Sequence, residues 1–284
     1  MFPGATADRE SADYVVVGAP LDVSTTFQPG TRFGPDRIRR FAASFEDYDH
    51  RTDRHFSDLA VHDAGDVHAW TDAADYVDFL AGTLGDVVDD DAVPLLLGGE
   101  HTVTVAGVRA VDPDLFVCLD AHLDLRAEFD GDPWSHACVT RRALDTADHA
   151  VIVGARSGGE SEWERASAGD VTVLGVDEVA ATGGAAVVGA AAEAADDLAS
   201  ATAYLSVDVD VADPAVAPGT GTMEPGGLSA RTLLDVVRGV TPLVDGADVV
   251  EVNDRDDGQA AALGGKLLRE FVFAHADAGD DRDH

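Results

Sequence analysis

The chain has 284 residues, 45% of them hydrophobic, which suits one large α/β domain with a sizeable core. Its 54 acidic residues outnumber its 19 basic residues, so the formal net charge is −35. This charge argues against nucleic acids and anionic membranes as partners, because nothing in the chain would neutralise their phosphates. The acids are scattered, and their mutual repulsion would destabilise the fold unless salt screens it. We therefore predict a halophilic protein.

No apolar run approaches the roughly 20 residues needed to span a bilayer. The N-terminal segment lacks the basic stretch followed by an apolar one that marks a signal peptide. We therefore expect a cytoplasmic protein. The two cysteines, Cys118 and Cys138, are too few for a disulfide framework, and we expect both to be packed thiols. We expect one domain over residues 1–284, with loose ends at 1–12 and 277–284.

Short apolar runs alternate with amphipathic stretches along the chain. The runs predict strands at residues 14–18, 59–63 (the weakest candidate), 94–98, 115–120, 150–154, 171–174, 204–208 and 249–252. The amphipathic stretches predict helices near residues 35–43, 72–88, 102–110, 136–146, 184–199, 229–239 and 258–275. Because the strand runs are almost continuously apolar, we predict an α/β fold with a mostly parallel sheet covered on both faces.

Potential metal ligands follow three of the predicted strands, at the points where the strands end. They are His101, Asp120, His122, Asp124, Asp208 and Asp210. Ligands of open α/β sheets gather at the carboxyl ends of the strands. In extended backbone, alternate residues point the same way, so we expect the Asp-x-His-x-Asp and Asp-x-Asp groups each to converge on one side.

Four carboxylates and two imidazoles crowded at one edge of a sheet would be costly without cations. Mixed His and Asp ligation, with carboxylates able to bridge, suits two divalent ions a few ångströms apart. Manganese is the natural choice, and zinc or cobalt could replace it. Each motif alone could be a solvated strand end or a helix-start histidine, but their joint occurrence at strand ends favours a metal site.

These motifs resemble those of a known family. The segments GGEHT at 98–102, DAHLD at 120–124 and SVDVDVADP at 206–214 are similar, in this order, to the three metal motifs of the ureohydrolases, the arginase, agmatinase and formimidoylglutamase family. Further similar segments lie at 27–35, 133–138, 217–228 and around Glu251, so the resemblance spans nearly the whole chain. It implies a three-layer αβα sandwich around an eight-stranded parallel sheet.

The resemblance also implies two Mn²⁺ ions per subunit. His101 and Asp124 would bind one ion, His122 and Asp210 would bind the other, and two aspartates would contact both. The two bridging residues would be Asp120 and Asp208. Relatives form trimers or hexamers, which implies a homo-oligomer here.

Three residues would take catalytic roles by the same resemblance. Glu224 would hold the substrate guanidinium, and His136, with an ordinary pKa near 6.5, would protonate the leaving amine. Asp124 could accept a hydrogen bond from the metal-activated water that attacks the guanidinium carbon. On spacing alone, His136 and Glu224 could equally be solvated loop residues. One departure is Glu100, since the first motif usually reads Gly-Gly-Asp-His, and we expect it to alter the support of His101.

Agmatine, hydrolysed to putrescine and urea in polyamine biosynthesis, is the favoured substrate because Ser135-His136-Ala137 is similar to an agmatinase segment. Aminopropylagmatine, guanidinobutyrate, arginine and formimidoylglutamate are the alternatives. Arg126 could pair with a substrate carboxylate, although a salt bridge within this acidic protein is the simpler role. A metallophosphoesterase is disfavoured because enzymes of that class have the Asp-x-His motif near the start. In this chain Gly-Gly-Glu-His comes first. An inactive metal-binding relative is disfavoured because all six ligand positions are present.

Overall fold

The computed structural model describes residues 1–195, 197–198 and 200–282. Within these residues there are ten strands: β1 (Tyr14–Ala19), β2 (Tyr48–Asp49), β3 (Arg54–His55), β4 (Val61–Asp66), β5 (Val93–Gly98), β6 (Leu115–Leu119), β7 (His149–Val153), β8 (Val171–Leu174), β9 (Ala203–Asp208) and β10 (Gly246–Val250). Eight of them form one sheet in the order β4-β1-β5-β10-β9-β6-β7-β8. All neighbouring pairs in this sheet are parallel, which confirms the predicted fold class.

The helices of the described residues are α1 (Gly34–Ala42), α2 (Ala73–Asp89), α3 (Thr104–Val111), α4 (Val139–Ala143), α5 (Glu160–Ala166), α6 (Val176–Thr182), α7 (Gly184–Ala194), α8 (Ala230–Val240) and α9 (Gln259–Arg282). The sequence analysis predicted neither α5 nor α6, nor the antiparallel pair β2–β3. It extended α7 to residue 199, but the helix ends at Ala194, and residues 196 and 199 lie outside the described residues.

Both faces of the sheet are covered, because alternate residues of each buried strand point to opposite sides. On β5, Leu95 and Leu97 join a core cluster that contains residues of α1, α7, α8 and α9. Leu96, between them, joins a second cluster with residues of α2, α3 and α4. The sheet is therefore the middle layer of a three-layer αβα sandwich.

Both chain ends differ from the expected loose segments. Phe2 is buried and its ring lies 5.8 Å from that of Phe56, so apolar packing holds the first residues on the core. The backbone N–H of Phe2 also donates to Asp63. At the other end α9 continues to Arg282, and residues 283–284 lie outside the described part of the chain.

The strand order determines where the site can form. The four central strands β5, β10, β9 and β6 are neighbours, so the segments that follow them meet at one edge of the sheet. In the residues that the structure describes, no helix is both long and apolar enough to cross a membrane.

Candidate metal centre

The segment after β5 brings His101 to the carboxyl edge of the sheet. Gly99 makes the turn possible, because a Cβ at this position would lie only 2.0 Å from the carbonyl oxygen of Leu21. His101 then begins a short 3-10 helix, and its backbone N–H donates to Glu251 Oε1 at 2.9 Å. The imidazole is buried beside Ser206 of β9 and Cys118 of β6.

The other two motifs do not use the extended backbone expected from sequence, and that expectation was wrong at two positions. Asp124 has a left-handed φ of 49°. Asp210 lies in a 3-10 helix, Val209–Val211, which Asp208 caps by accepting the Asp210 N–H at 2.8 Å. Asp120 similarly accepts the N–H of His122 at 2.7 Å. The side chains therefore converge through tight turns whose amide hydrogens the carboxylates themselves accept.

The structure brings all six predicted ligands together. His101 Nδ1 lies 3.1 Å from Asp124 Oδ2, 3.2 Å from Asp120 Oδ2 and 3.5 Å from Asp208 Oδ2. His122 Nδ1 lies 3.0 Å from Asp210 Oδ2 and 3.4 Å from Asp120 Oδ1. The two oxygens of Asp120 therefore face different histidines, which makes this carboxylate the centre of the cluster.

Burial makes this cluster electrostatically demanding. Burial and the nearby charge of Asp120 raise the pKa of Asp124 to about 6. Burial and the charges of Asp210 and Asp120 raise the pKa of Asp208 well above its usual range. Burial also raises the pKa of Asp210. Without cations, several of these carboxylates would have to retain protons.

The donor set fits divalent ions. His101 Nδ1 is buried and, among the described residues, has no hydrogen-bond partner although three carboxylates surround it. Its Nε2 lies 3.1 Å from Ser206 Oγ, whose hydroxyl donates to Asp248 Oδ1 at 2.6 Å. If Nε2 donates a hydrogen bond to Ser206, Nδ1 presents a lone pair to the carboxylate oxygens, which also carry lone pairs. A cation bound between them would accept electron pairs from both the nitrogen and the oxygens. Imidazole nitrogens with several carboxylate oxygens suit manganese.

His136 lies beside this cluster at the start of a 3-10 helix, His136–Cys138. Its Nδ1 is 3.2 Å from Glu251 Oε1 and its Nε2 is 3.2 Å from Thr26 Oγ1. Burial alone would lower the pKa of this imidazole, but the hydrogen bond and charge of Glu251 raise it to about 9. Glu251 thus favours the protonated form of His136 next to the predicted metal ligands.

Two glutamates differ sharply in their surroundings. Glu224, which the sequence analysis assigned to the guanidinium, is half-buried, with Oε1 3.8 Å from His122 Nε2. Glu251 is buried at the end of β10, and its Oε2 has no hydrogen-bond partner among the described residues. The sequence analysis noted the run around Glu251 but gave the residue no role. Its position directly after an apolar strand was the signal that could have identified it.

A cavity of about 320 Å³ opens onto the cluster and is lined by His122, Asp124 and His136. Arg126, at its wall, pairs with the buried Glu162 at 2.9 Å and lies over the Phe129 ring at 5.2 Å. The simpler of the two predicted roles for Arg126, an internal salt bridge, is therefore present.

Cys118 and Cys138 are buried free thiols, as expected. Cys118 Sγ lies 3.8 Å from His101 Nε2 and 4.0 Å from Asp120 Oδ2, at the edge of the ligand cluster. Burial raises the pKa of both thiols, so they are neutral packing groups at pH 7.

Comparisons with known proteins agree with this geometry. The sequence model of the arginase family matches residues 12–274. The chain belongs to the arginase family. An agmatinase of Pyrococcus horikoshii is 34% identical over 271 residues, covering 93% of this chain and 92% of that protein. An N(1)-aminopropylagmatine ureohydrolase of Thermococcus kodakarensis is also 34% identical, with 96% and 94% covered.

A solved structure extends the likeness to the fold. The agmatine ureohydrolase of Thermoplasma volcanium superposes with a TM-score of 0.91 at 30% identity, covering 99% of this chain and 95% of that one. The arginase-like sheet predicted from the resemblance is therefore confirmed. The chain is a ureohydrolase of the arginase family, a hydrolase that acts on a guanidino C–N bond.

Proposed function

We propose that this ureohydrolase is a manganese-dependent agmatinase, which converts agmatine to putrescine and urea for polyamine biosynthesis. One observation carries the metal part of the proposal: the Nδ1 atoms of the buried His101 and the partly exposed His122 face opposite oxygens of Asp120, at 3.2 Å and 3.4 Å. The relatives named agmatinase and agmatine ureohydrolase support the substrate.

Six residues would hold two Mn²⁺ ions. His101 with Asp124 would bind one and His122 with Asp210 the other, since these pairs have the shortest nitrogen–oxygen distances, 3.1 Å and 3.0 Å. Asp120 and Asp208 would contact both. Bound divalent ions would lower the pKa of a water molecule and so supply a nucleophile at neutral pH.

The residues around the cluster would bind the substrate and move protons. Glu251 Oε2, buried and without a partner in the described chain, could accept two N–H groups of a planar guanidinium. Asp124 could accept a hydrogen bond from the attacking water. His136, with its pKa raised to about 9, is protonated at neutral pH and can protonate the departing amine. Protonation of this nitrogen lets the C–N bond break with release of the neutral amine, which then takes up a second proton from water to become an ammonium ion.

Product formation tests this proposal directly. Purified protein in molar KCl, with Mn²⁺ or with EDTA, should be assayed on agmatine, aminopropylagmatine, guanidinobutyrate, arginine and formimidoylglutamate. We expect Mn²⁺-dependent release of urea and putrescine, with kcat/KM for agmatine at least about tenfold above the others. A higher kcat/KM on another compound would refute agmatine as the substrate, and no product from any of them would indicate an inactive relative.

The T. kodakarensis relative makes aminopropylagmatine the second candidate, because that protein matches this chain as closely as the agmatinase does. The pairing of Arg126 with Glu162 disfavours the guanidino acids, since Glu162 already occupies the guanidinium that would bind their carboxylate. Arg126→Gln should therefore change kcat/KM for agmatine less than threefold.

The two candidate guanidinium ligands can be separated by matched substitutions. If Glu251 binds the guanidinium, Glu251→Gln should lower kcat/KM about a hundredfold, while Glu224→Gln should lower it less than tenfold. The reverse order would support Glu224, the residue assigned by resemblance. Manganese content, measured on both variants, controls for loss of the metal site.

A further inference from the structure

By the resemblance drawn from the sequence, Glu100 stands where the first metal motif usually has aspartate. It is completely buried, yet its carboxylate does not face the metal cluster. Oε2 accepts the N–H groups of Val23 and Ser24 at 2.6 Å and 2.7 Å. Oε1 accepts the hydroxyls of Ser24 at 2.8 Å and Thr102 at 3.0 Å. This carboxylate therefore accepts three hydrogen bonds from the loop that follows β1.

The same loop contacts His136 at two points. Ser24 Oγ accepts the backbone N–H of His136 at 2.9 Å, and Thr26 Oγ1 lies 3.2 Å from its Nε2. Ser24 Oγ thus donates to Glu100 and accepts from His136. A continuous hydrogen-bonded path therefore runs from Glu100 through Ser24 to the backbone of His136, whose imidazole lines the active-site cavity.

We propose that Glu100 is a positioning residue for His136: its carboxylate holds residues 23–26, which in turn fix the imidazole beside the reacting group. This inference rests on the proposed function, in which His136 protonates the leaving amine. In this proposal the methylene that distinguishes Glu100 from aspartate supports catalysis by positioning His136. It does not act on the neighbouring predicted metal ligand, His101.

The backbone around Glu100 explains why side-chain length matters. The N–H of Gly99 donates to Ala19 at 2.7 Å and that of Glu100 donates to Leu21 at 2.8 Å, so the main chain is fixed against the strand on which the loop begins. Only the side chain can then reach Val23 and Ser24. Aspartate is shorter by one C–C bond, about 1.5 Å, and could not hold the loop and Thr102 at once.

The proposal predicts that reach, and not charge, is decisive. Glutamine keeps the length: its carbonyl can accept the two loop N–H groups, and its amide can donate to the hydroxyl oxygens of Ser24 and Thr102. We therefore expect Glu100→Asp to lower kcat about tenfold with KM within twofold, and Glu100→Gln to restore most of kcat. A general acid contributes roughly a hundredfold or more, so partial misplacement accounts for a tenfold loss.

Three further measurements separate this role from others. Ser24→Ala should lower kcat by a similar factor, and the double variant with Glu100→Asp should be no slower than either single variant, because both cut the same path. Manganese content should stay at the wild-type value. Amide hydrogen exchange in the metal-free protein should accelerate at residues 23–26 and 135–137 in Glu100→Asp. Glu270→Asp, a shortened buried glutamate that pairs with Arg51 and Arg238, is the matched control and should retain kcat.

The outcomes are distinct. Wild-type kcat and wild-type exchange in Glu100→Asp would overturn the proposal, as would multiplicative losses in the double variant. Loss of manganese in parallel with kcat would also overturn it, since Glu100 would then act through His101. If the wild-type protein hydrolyses no guanidino compound, the proposed function fails, and the hydrogen-exchange comparison alone decides whether Glu100 holds the loop.

Discussion

Two buried acidic regions of this protein balance their charge in opposite ways. Asp63, on the edge strand β4, is paired in a bidentate manner with Arg39, with both N–O distances at 2.8 Å. It also accepts the N–H of Gly65 at 2.9 Å. Burial would raise the pKa of Asp63, but its hydrogen bonds with Arg39 hold it below the ordinary value. The fold supplies its own cation here.

At the candidate metal centre the ion pairs of the described residues involve histidines only. Despite its burial, the two histidines lower the pKa of Asp120 alone, and the pKa values of Asp124, Asp208 and Asp210 remain raised. The comparison shows that buried carboxylates alone do not identify a functional site. What distinguishes one is a deficit of cations, which a ligand from solution must fill.

The largest expected effect comes from removing a carboxylate that is proposed to bridge the two ions. Asp208→Ala or Asp120→Ala should lose about half of the bound manganese and lower kcat by roughly a thousandfold or more, since both ions would share these ligands. Metal content by atomic emission and urea release measure the two effects. Asp66→Ala serves as the control, since Asp66 belongs to the Arg39 cluster (Arg39, Asp63 and Asp66). This variant should keep its manganese and its kcat. Full activity in either bridging variant would exclude a binuclear mechanism.

The two regions should also differ in the stability of the metal-free protein. Asp63→Asn leaves the buried Arg39 with Asp66 as its remaining carboxylate partner and should lower the free energy of unfolding by about 3 kcal/mol. Asp208→Asn removes a carboxylate that its neighbours repel, and its amide can donate to His101 Nδ1, so metal-free stability should be unchanged or higher. Chemical denaturation in EDTA measures both. An equal loss of unfolding free energy in Asp63→Asn and Asp208→Asn would show that the two regions do not differ in how their charge is balanced.

The sequence could predict most of the fold because the strands of the main sheet are apolar runs, except for the polar edge strand β4, which was the weakest candidate. It missed α5 because, of the helix's seven residues, Glu162 alone is fully buried, so no apolar periodicity marks it. The short pair β2–β3 spans two residues per strand, too few to show alternation. Chain-end packing was missed because a single buried aromatic, Phe2, holds the first segment.

The site was predictable to a different extent. Motif spacing identified all six converging side chains. It could not identify the left-handed backbone of Asp124 or the link from Glu100 to the β1 loop, since both depend on which strands become neighbours. The sequence marks Glu251 as a polar residue after an apolar strand, but its contact with the backbone of His101 follows from β10 lying beside β5, an order that the sequence does not give.

Stability should depend on pH in opposite directions in the two regions. Asp63 has a lowered pKa, so its contribution is present above the unfolded pKa near 3.8 and is lost as pH falls further. Asp124, with its pKa raised to about 6, retains a proton in the fold, so metal-free stability should fall as pH rises from about 4 to 6. One pKa unit corresponds to about 1.4 kcal/mol, so the change should be on the order of 2 kcal/mol.

Manganese should remove that loss, because ligation favours the ionised carboxylates and releases their protons. Thermal unfolding with Mn²⁺ and with EDTA, from pH 4 to 7 at constant KCl, tests this. The difference in Tm between the two conditions should grow with pH. A difference that is constant over this range would mean that the buried carboxylates are already ionised without metal.

The smallest expected effect is a change in Tm with salt, which depends on the exposed acidic residues outside the Arg39 cluster and the metal centre. A formal charge of −35 on a 284-residue chain produces repulsion between surface carboxylates, and raising KCl from 0.1 M to 1 M shortens the screening length from about 10 Å to about 3 Å. We expect Tm to rise by several degrees over this range.

Because buried pairs are screened much less than exposed charges, Asp63→Asn and Asp208→Asn should show the same increment in Tm as the wild-type protein. Sucrose at matched osmolality controls for general exclusion of solutes from the surface. A Tm that does not respond to KCl would show that the acidic surface is not an adaptation to salt, and an increment lost in Asp63→Asn would place the salt response in the Arg39 cluster instead.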